Sequence, residues 1–222
     1  MTDDNNSKQY SDLTDEELGV KKNEFETESS APENKNALKG TYEWIEMLCM
    51  ALGMMLIVFM FIFRFVEVDG TSMLNTLQDK DKLMISHLFY DEPQVGDIVV
   101  IEVGSTDSKT YTKPLIKRVI ATEGQTLDIN SETWEITITD GDATYVLDES
   151  AYSDTILHAE GKKMYLGTVS LPYTVGEGEI FVMGDNRNNS DDSRKLGSIS
   201  VENIVGRVII RVHPFDMFGT VE

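Results

Sequence analysis

Three short segments carry residue types that could do chemistry together. Ser72 stands in Gly70-Thr71-Ser72-Met73-Leu74-Asn75-Thr76-Leu77, just beyond a long apolar run. A hydroxyl residue there, on a strand end or tight turn, suits a nucleophile once a base takes its proton in the transition state. None of His87, His158 and His213 falls in a candidate motif, so a Ser-His arrangement is not indicated. Lys117 sits in Leu115-Ile116-Lys117-Arg118-Val119-Ile120, a basic pair inside a strand-like apolar run. A lysine is a base only when neutral, and burial against apolar surface disfavours its charge. A drop of about two pKa units corresponds to roughly 2.7 kcal/mol. An edge-strand lysine turned to solvent is the plainer reading, and the segment alone leaves both open. The third segment runs from Gly184 to Arg194 and is rich in turn formers and charges. It reads either as a solvated loop or as two arginines among three aspartates, built into an ion-pair network that holds a site in shape.

These residues need elements to position them. Met47 to Phe63 is free of charge, with Trp44 and Phe65 extending the apolar character, and Glu46 and Arg64 stand at its ends. About 20 residues cross a hydrocarbon core of roughly 30 Å. The Arg64-Phe65-Val66-Glu67-Val68 segment offers no small-x-small cleavage site, so a retained transmembrane helix is expected over 41–66. Residues 1–40 carry five Lys against ten Asp plus Glu, with almost no large apolar side chains. Such a segment is expected to form a disordered acidic tail. Lys35 and Lys39 precede the helix while Glu67 and Asp69 follow it. The positive-inside rule then places the tail in the cytoplasm and residues 67–222 outside.

Residues 67–222 are long enough for one well-buried core. Residues 98–103, 115–121, 134–139, 179–183 and 204–212 are rich in β-branched and aromatic types, punctuated by Gly, Asp and Pro. The expected fold is mainly β: one N-terminal transmembrane helix, then an all-β extracytoplasmic domain of folded or partly barrel-like sheets. Residues 104–113 and 140–170 are expected to be long loops or a hairpin insertion. The formal net charge of -20 argues against a nucleic-acid partner, since phosphate binding needs clustered Lys and Arg. The single cysteine, Cys49, lies inside the apolar run, so it allows no intramolecular disulfide. With the histidines scattered, no metal site and no cofactor are expected.

Together the segments resemble bacterial type I signal peptidases, from the apolar helix to near the C-terminus. Ser72-Met73-x-x-Thr76-Leu77 is similar to that family's nucleophile motif, and Gly96-Asp97-Ile98-Val99-Val100 to its next strand. Lys117-Arg118-Val119 resembles its lysine motif. Gly184-Asp185-Asn186-Arg187-x-Asn189-Ser190-x-Asp192-Ser193-Arg194 is the most specific match. The ending, Gly206-Arg207 through Pro214-Phe215 and Phe218-Gly219, is similar to the Gram-positive branch. The resemblance implies a membrane-anchored serine endopeptidase that removes signal peptides from secretory preproteins, with membrane lipid as its surroundings. It implies that Ser72 attacks the peptide carbonyl and that Lys117 is general base, then general acid. Ser190 would hydrogen-bond the lysine amine and aim it, Asp192 and Arg194 would pair to support the site, and Met73 would lie near the membrane-facing surface. Cleavage is expected after small residues at the first and third positions before the bond.

The Ser72 N–H can supply one oxyanion donor. Gly70 stands where some relatives carry a hydroxyl, which leaves the second donor unassigned. Asn75 replaces the family's usual Pro, and Ala121-Thr122-Glu123-Gly124-Gln125 its usual Gly-x-Pro-Gly-Asp. These departures bear on loop rigidity and substrate preference, not on the dyad. Two alternatives remain: a relative dedicated to a narrow set such as pilus or envelope subunits, and a non-catalytic homologue that assists assembly of surface proteins. Retention of Ser72, Lys117 and Ser190 speaks against the second. The serine–lysine autopeptidases of SOS repressors lack support, because a membrane helix stands where a DNA-binding segment would precede the core.

Overall fold

A computed structural model of the chain describes residues 33–86, 88, 90, 92–104, 111–152 and 163–221. The first element, α1, is a helix over Glu33–Ile62. Its part Lys39–Ile62 is long and apolar enough to cross a membrane. Those 24 residues reach about 36 Å at 1.5 Å per residue, against a hydrocarbon core of roughly 30 Å. Leu52, Met54, Met55, Leu56, Ile57 and Val58, which together go round the helix, are all exposed. A helix apolar on every side is one made for a surrounding of lipid or protein rather than water.

Both expected helix boundaries are corrected. Residues 33–40 are helical rather than part of a tail; Ala37, Leu38 and Lys39 are good helix formers that extend an existing helix cheaply. Residues 1–32 of the expected tail lie outside the described residues. At the other end the helix stops at Ile62 instead of residue 66, and β1 (Phe63–Glu67) begins at once. Aromatic and β-branched side chains favour a pleated strand there. The β1 backbone finds its partners in β2 (Lys82–Ser86), with Phe65 opposite Met84.

Among the described residues nine more strands follow: β3 (Ile98–Ile101), β4 (Leu115–Thr122), β5 (Thr126–Ile129), β6 (Ile136–Asp140), β7 (Ala143–Val146), β8 (Tyr173–Thr174), β9 (Glu179–Met183), β10 (Ile199–Ser200) and β11 (Ile204–His213). A one-turn helix, α2 (Ser193–Leu196), lies between β9 and β10. The strands form a seven-stranded sheet in the order β1-β2-β11-β3-β4-β9-β10 and a four-stranded sheet in the order β7-β6-β5-β8. Every pairing is antiparallel. The domain is therefore mainly β, as expected. Of the segment expected as a loop or hairpin insertion over 140–170, residues 143–146 form the outer strand of a hairpin, with Asp140 opposite Ala143. That strand is exposed on both faces, so its sequence shows no alternation. Residues 105–110 and 153–162 lie outside the described residues.

The burial pattern explains why the central strands read as unbroken apolar runs. All four residues of β3 are buried: Ile98 and Val100 join one core with Met73, Leu77, Leu83 and Ile85, while Val99 and Ile101 join another with Val119, Ile180 and Val182. A third core brings Ile120, Phe181 and Met183 of the large sheet against Leu127, Ile136 and Ile138 of the small one. β4 lies between β3 and β9, deep in the large sheet. A lysine on that strand cannot be an edge residue.

Candidate active site

The turn after β1 carries Ser72. Met73 and Leu77 next to it are buried, and their side chains anchor the turn in the core beneath. Within the turn, the Leu77 N–H donates to the Met73 carbonyl at 2.8 Å. Ser72 itself stays half-exposed. Its backbone is clamped from the segment after β9. The Asn186 N–H donates to the Ser72 carbonyl at 3.0 Å, the Asn186 amide to the Thr71 carbonyl at 3.0 Å, and the Asn189 amide to Thr71 Oγ1 at 2.9 Å. Thr76 closes the turn by donating its hydroxyl to Asp185.

Lys117 reaches this turn from β4. It is 2 % exposed, and its Nζ donates to Ser72 Oγ at 2.8 Å and to the Ile116 carbonyl at 2.8 Å. Burial is the main force on its titration, and it pushes the pKa down from 10.5 to about 8. The carboxylates of Asp192, Asp191 and Asp185 work the other way, and Arg194 adds to the lowering. Desolvation wins because a cation surrounded by protein loses its hydration without a directly paired anion.

The segment after β9 is held by buried ion pairs. Arg118, next to Lys117 on β4, forks onto Asp185 through Nε to Oδ1 at 2.9 Å and Nη2 to Oδ2 at 2.7 Å. Its guanidinium also lies 3.7 Å from the centre of the Tyr152 ring. Arg194 forks onto Asp192 in the same way, at 2.8 Å and 2.7 Å, with both side chains fully buried. Asp192 accepts the Gly184 N–H at 3.1 Å and the Arg194 N–H at 3.3 Å, so one carboxylate fixes the strand end and caps α2. The expected network is thus real but wired differently: only Asp192 and Arg194 pair within the segment. Asp185 takes its arginine from β4, and Arg187 pairs with Glu149.

Two expected placements are corrected. Met73 is 2 % exposed and packs in the core with Val68, Leu77 and Leu83, not at a surface. As an apolar side chain beside a half-exposed serine, it gains more from the core under the turn. Ser190 does not hydrogen-bond Lys117: its Oγ is buried and unpartnered, while the Lys117 amine is taken by Ser72 and the Ile116 carbonyl. Ser190 still lines the same cavity as Ser72 and Lys117. Asn186 and Asn189 stand in the most specific of the matched motifs, yet nothing in it tells that they clamp Thr71. Their partner is more than a hundred residues away.

Two cavities meet at Ser72 and Lys117. One, of about 410 Å³, has an apolar floor that includes Val66, Val68, Met73, Val100, Leu115 and Ile116. Lys113 and Asp69, an exposed ion pair, stand on its wall. The other, of about 330 Å³, is lined by polar residues such as Tyr111, Asn188, Ser190 and Asp191. No group of three or more His, Cys, Asp and Glu side chains able to hold a metal occurs among the described residues. His87 and His158 lie outside them.

The family model described as "Signal peptidase, peptidase S26" matches residues 41–213. A probable signal peptidase I-1 of Synechocystis is 34% identical over 185 residues, covering 80% of this chain and 85% of its own. A signal peptidase I of Bacillus licheniformis is 32% identical over 193 residues, covering 86% and 96%. The signal peptidase I T of Bacillus subtilis is 32% identical over 199 residues, covering 86% and 93%.

Proposed function

Because the chain belongs to the signal peptidase family, peptidase S26, and is a serine endopeptidase that cleaves signal peptides, we propose that Ser72 and Lys117 form its catalytic dyad. The observation that carries this is a buried lysine amine 2.8 Å from the hydroxyl of a half-exposed serine. In the neutral form, Lys117 Nζ accepts the Ser72 proton as Oγ attacks the scissile carbonyl. The tetrahedral oxygen takes a hydrogen bond from the Ser72 N–H. Lys117 then hands its proton to the departing amine, leaving an ester on Ser72. A water, deprotonated by the same amine, attacks that ester and releases the cleaved signal peptide.

In this reading Ser190 takes no part in the resting dyad and orients the amine only after Ser72 has reacted. Its unpartnered hydroxyl is the group free to receive Lys117 once Ser72 Oγ is spent in the ester. Asp192 and Arg194 act through Gly184 rather than on the substrate. The apolar cavity suits the small residues before the bond. The catalytic domain lies outside the cytoplasm, with the residues before α1 inside and lipid around its apolar span.

Purified protein in detergent, incubated with an unrelated secretory precursor, should release a mature product whose cut is located by mass spectrometry. Ser72→Ala should abolish cleavage. Lys117→Arg keeps the charge and most of the stem, but a guanidinium does not give up its proton, so this variant should be inactive at every pH. Substantial cleavage by Lys117→Arg at the same bond would remove Lys117 from the mechanism. Binding of precursors without any cleavage by the wild type would favour a non-catalytic assembly role.

A further inference from the structure

We propose that the polar cavity beside the dyad is the subsite for the first residues of the mature chain, with Tyr111, Asn188 and Asp191 as its specificity-determining side chains. The inference rests on the peptidase reading. An extended substrate that places its scissile carbonyl at Ser72 must enter on one side of the dyad and leave on the other. Ser72 and Lys117 line both cavities, so they stand at that crossing. With the apolar side taken by residues before the bond, the chain beyond the bond can only run into the polar one.

Its lining fits a hydrated, polar segment. The Tyr111 hydroxyl donates to Asp191 at 3.3 Å, and Lys195 donates to the same carboxylate at 2.6 Å. Asn188 Oδ1 accepts the Tyr165 N–H at 2.9 Å, which leaves the amide N–H₂ as the end that donates to a ligand. Ser190 Oγ, buried and unpartnered, also faces this space. A polar segment can replace water at such groups, whereas an apolar side chain would strand them unpaired. The charged groups on the wall are themselves paired, Asp69 with Lys113 and Asp191 with Lys195, so the lining is polar rather than of one sign. The cavity therefore suits polar residues after the bond and disfavours large apolar ones.

The test compares two substrates with the same signal-peptide side. One continues for several residues of a mature chain, and the other ends at the scissile bond in a small chromogenic amine. Asn188→Ala and Tyr111→Phe should each lower kcat/KM for the long substrate by about three- to tenfold, the worth of one or two hydrogen bonds. Neither should change the rate on the short one, which also controls for folding. An equal fall on both substrates, or no fall on the long one, would overturn the subsite. If the wild type cleaved neither, the peptidase reading would fall and the subsite with it.

Discussion

The proposed mechanism asks Lys117 for two things that oppose each other, since the burial that would make it a base also strains the fold. With its pKa at about 8, roughly one lysine in ten is neutral at pH 7. The rate on precursor should therefore rise through an acid limb centred near pH 8 and level off above it. A flat profile from pH 6 to pH 9 would argue against this base. The same shift is a statement about stability. The folded pKa lies below the unfolded value of 10.5, so the penalty is fully present below about pH 8 and fades as pH rises toward 10.5. Its size is about 3 kcal/mol. Lys117→Met should be more resistant to denaturant than the wild type at pH 7 and lose that advantage by pH 10; equal margins at both would refute the strain. Gly184 is constrained by contact alone. A Cβ there would come closer than 3.0 Å to Ser190 Oγ and the Ser72 carbonyl. Gly184→Ala should push the nucleophile turn aside and lower kcat by tenfold or more, on the general scale of misplaced catalytic groups. An unchanged kcat would mean that the turn yields at no cost.

At the scale of elements, the decisive piece is the stretch from the end of β9 to α2. It has almost no apolar side chains of its own, yet Asp185, Arg187, Ser190 and Asp192 are buried. Ion pairs carry it, and removing one partner of a buried pair typically costs 3–5 kcal/mol because the other charge is left unpaired. Asp192→Ala should lose about that much stability, read by denaturant midpoint, and most activity with it. Replacing both members, Asp192→Leu with Arg194→Met, should be less destabilising than Asp192→Ala while activity stays low, since Gly184 loses its acceptor. Greater damage from the double change would show that the pair itself, not its charge balance, holds the segment. The runs over 98–103, 115–121, 134–139, 179–183 and 204–212 were readable as strands because β-branched side chains and turn residues mark them locally. β1 was hidden because its aromatic residues continue the apolar run of α1, and β7 because both its faces are exposed.

For the whole molecule, the question is which side of the membrane holds the β domain. Lys35 and Lys39 precede the apolar span and acidic residues follow it. Protease added to intact, wall-stripped cells should remove the β domain and spare the residues before α1. Digestion of the N-terminal residues alone would reverse the orientation.

The amino-acid sequence determined what local signals determine: a helix long and apolar enough to cross a bilayer, a chain of short strands, and three segments with the residue types of a peptidase. Those properties depend on neighbours within a few positions. Tertiary structure alone decided which of them meet. Ser72 and Lys117 are 45 positions apart, Arg118 and Asp185 are 67, and Thr76 and Asp185 are 109. Whether Lys117 was a solvent-facing edge lysine or a buried base turned on β3 and β9 flanking its strand, which no feature of residues 115–120 could state. The same holds for Met73 beneath the turn and for Ser190 without a partner. Desolvation and hydrogen-bond geometry are set by side chains that arrive from other strands, and their arrival is a consequence of sheet register rather than of sequence proximity.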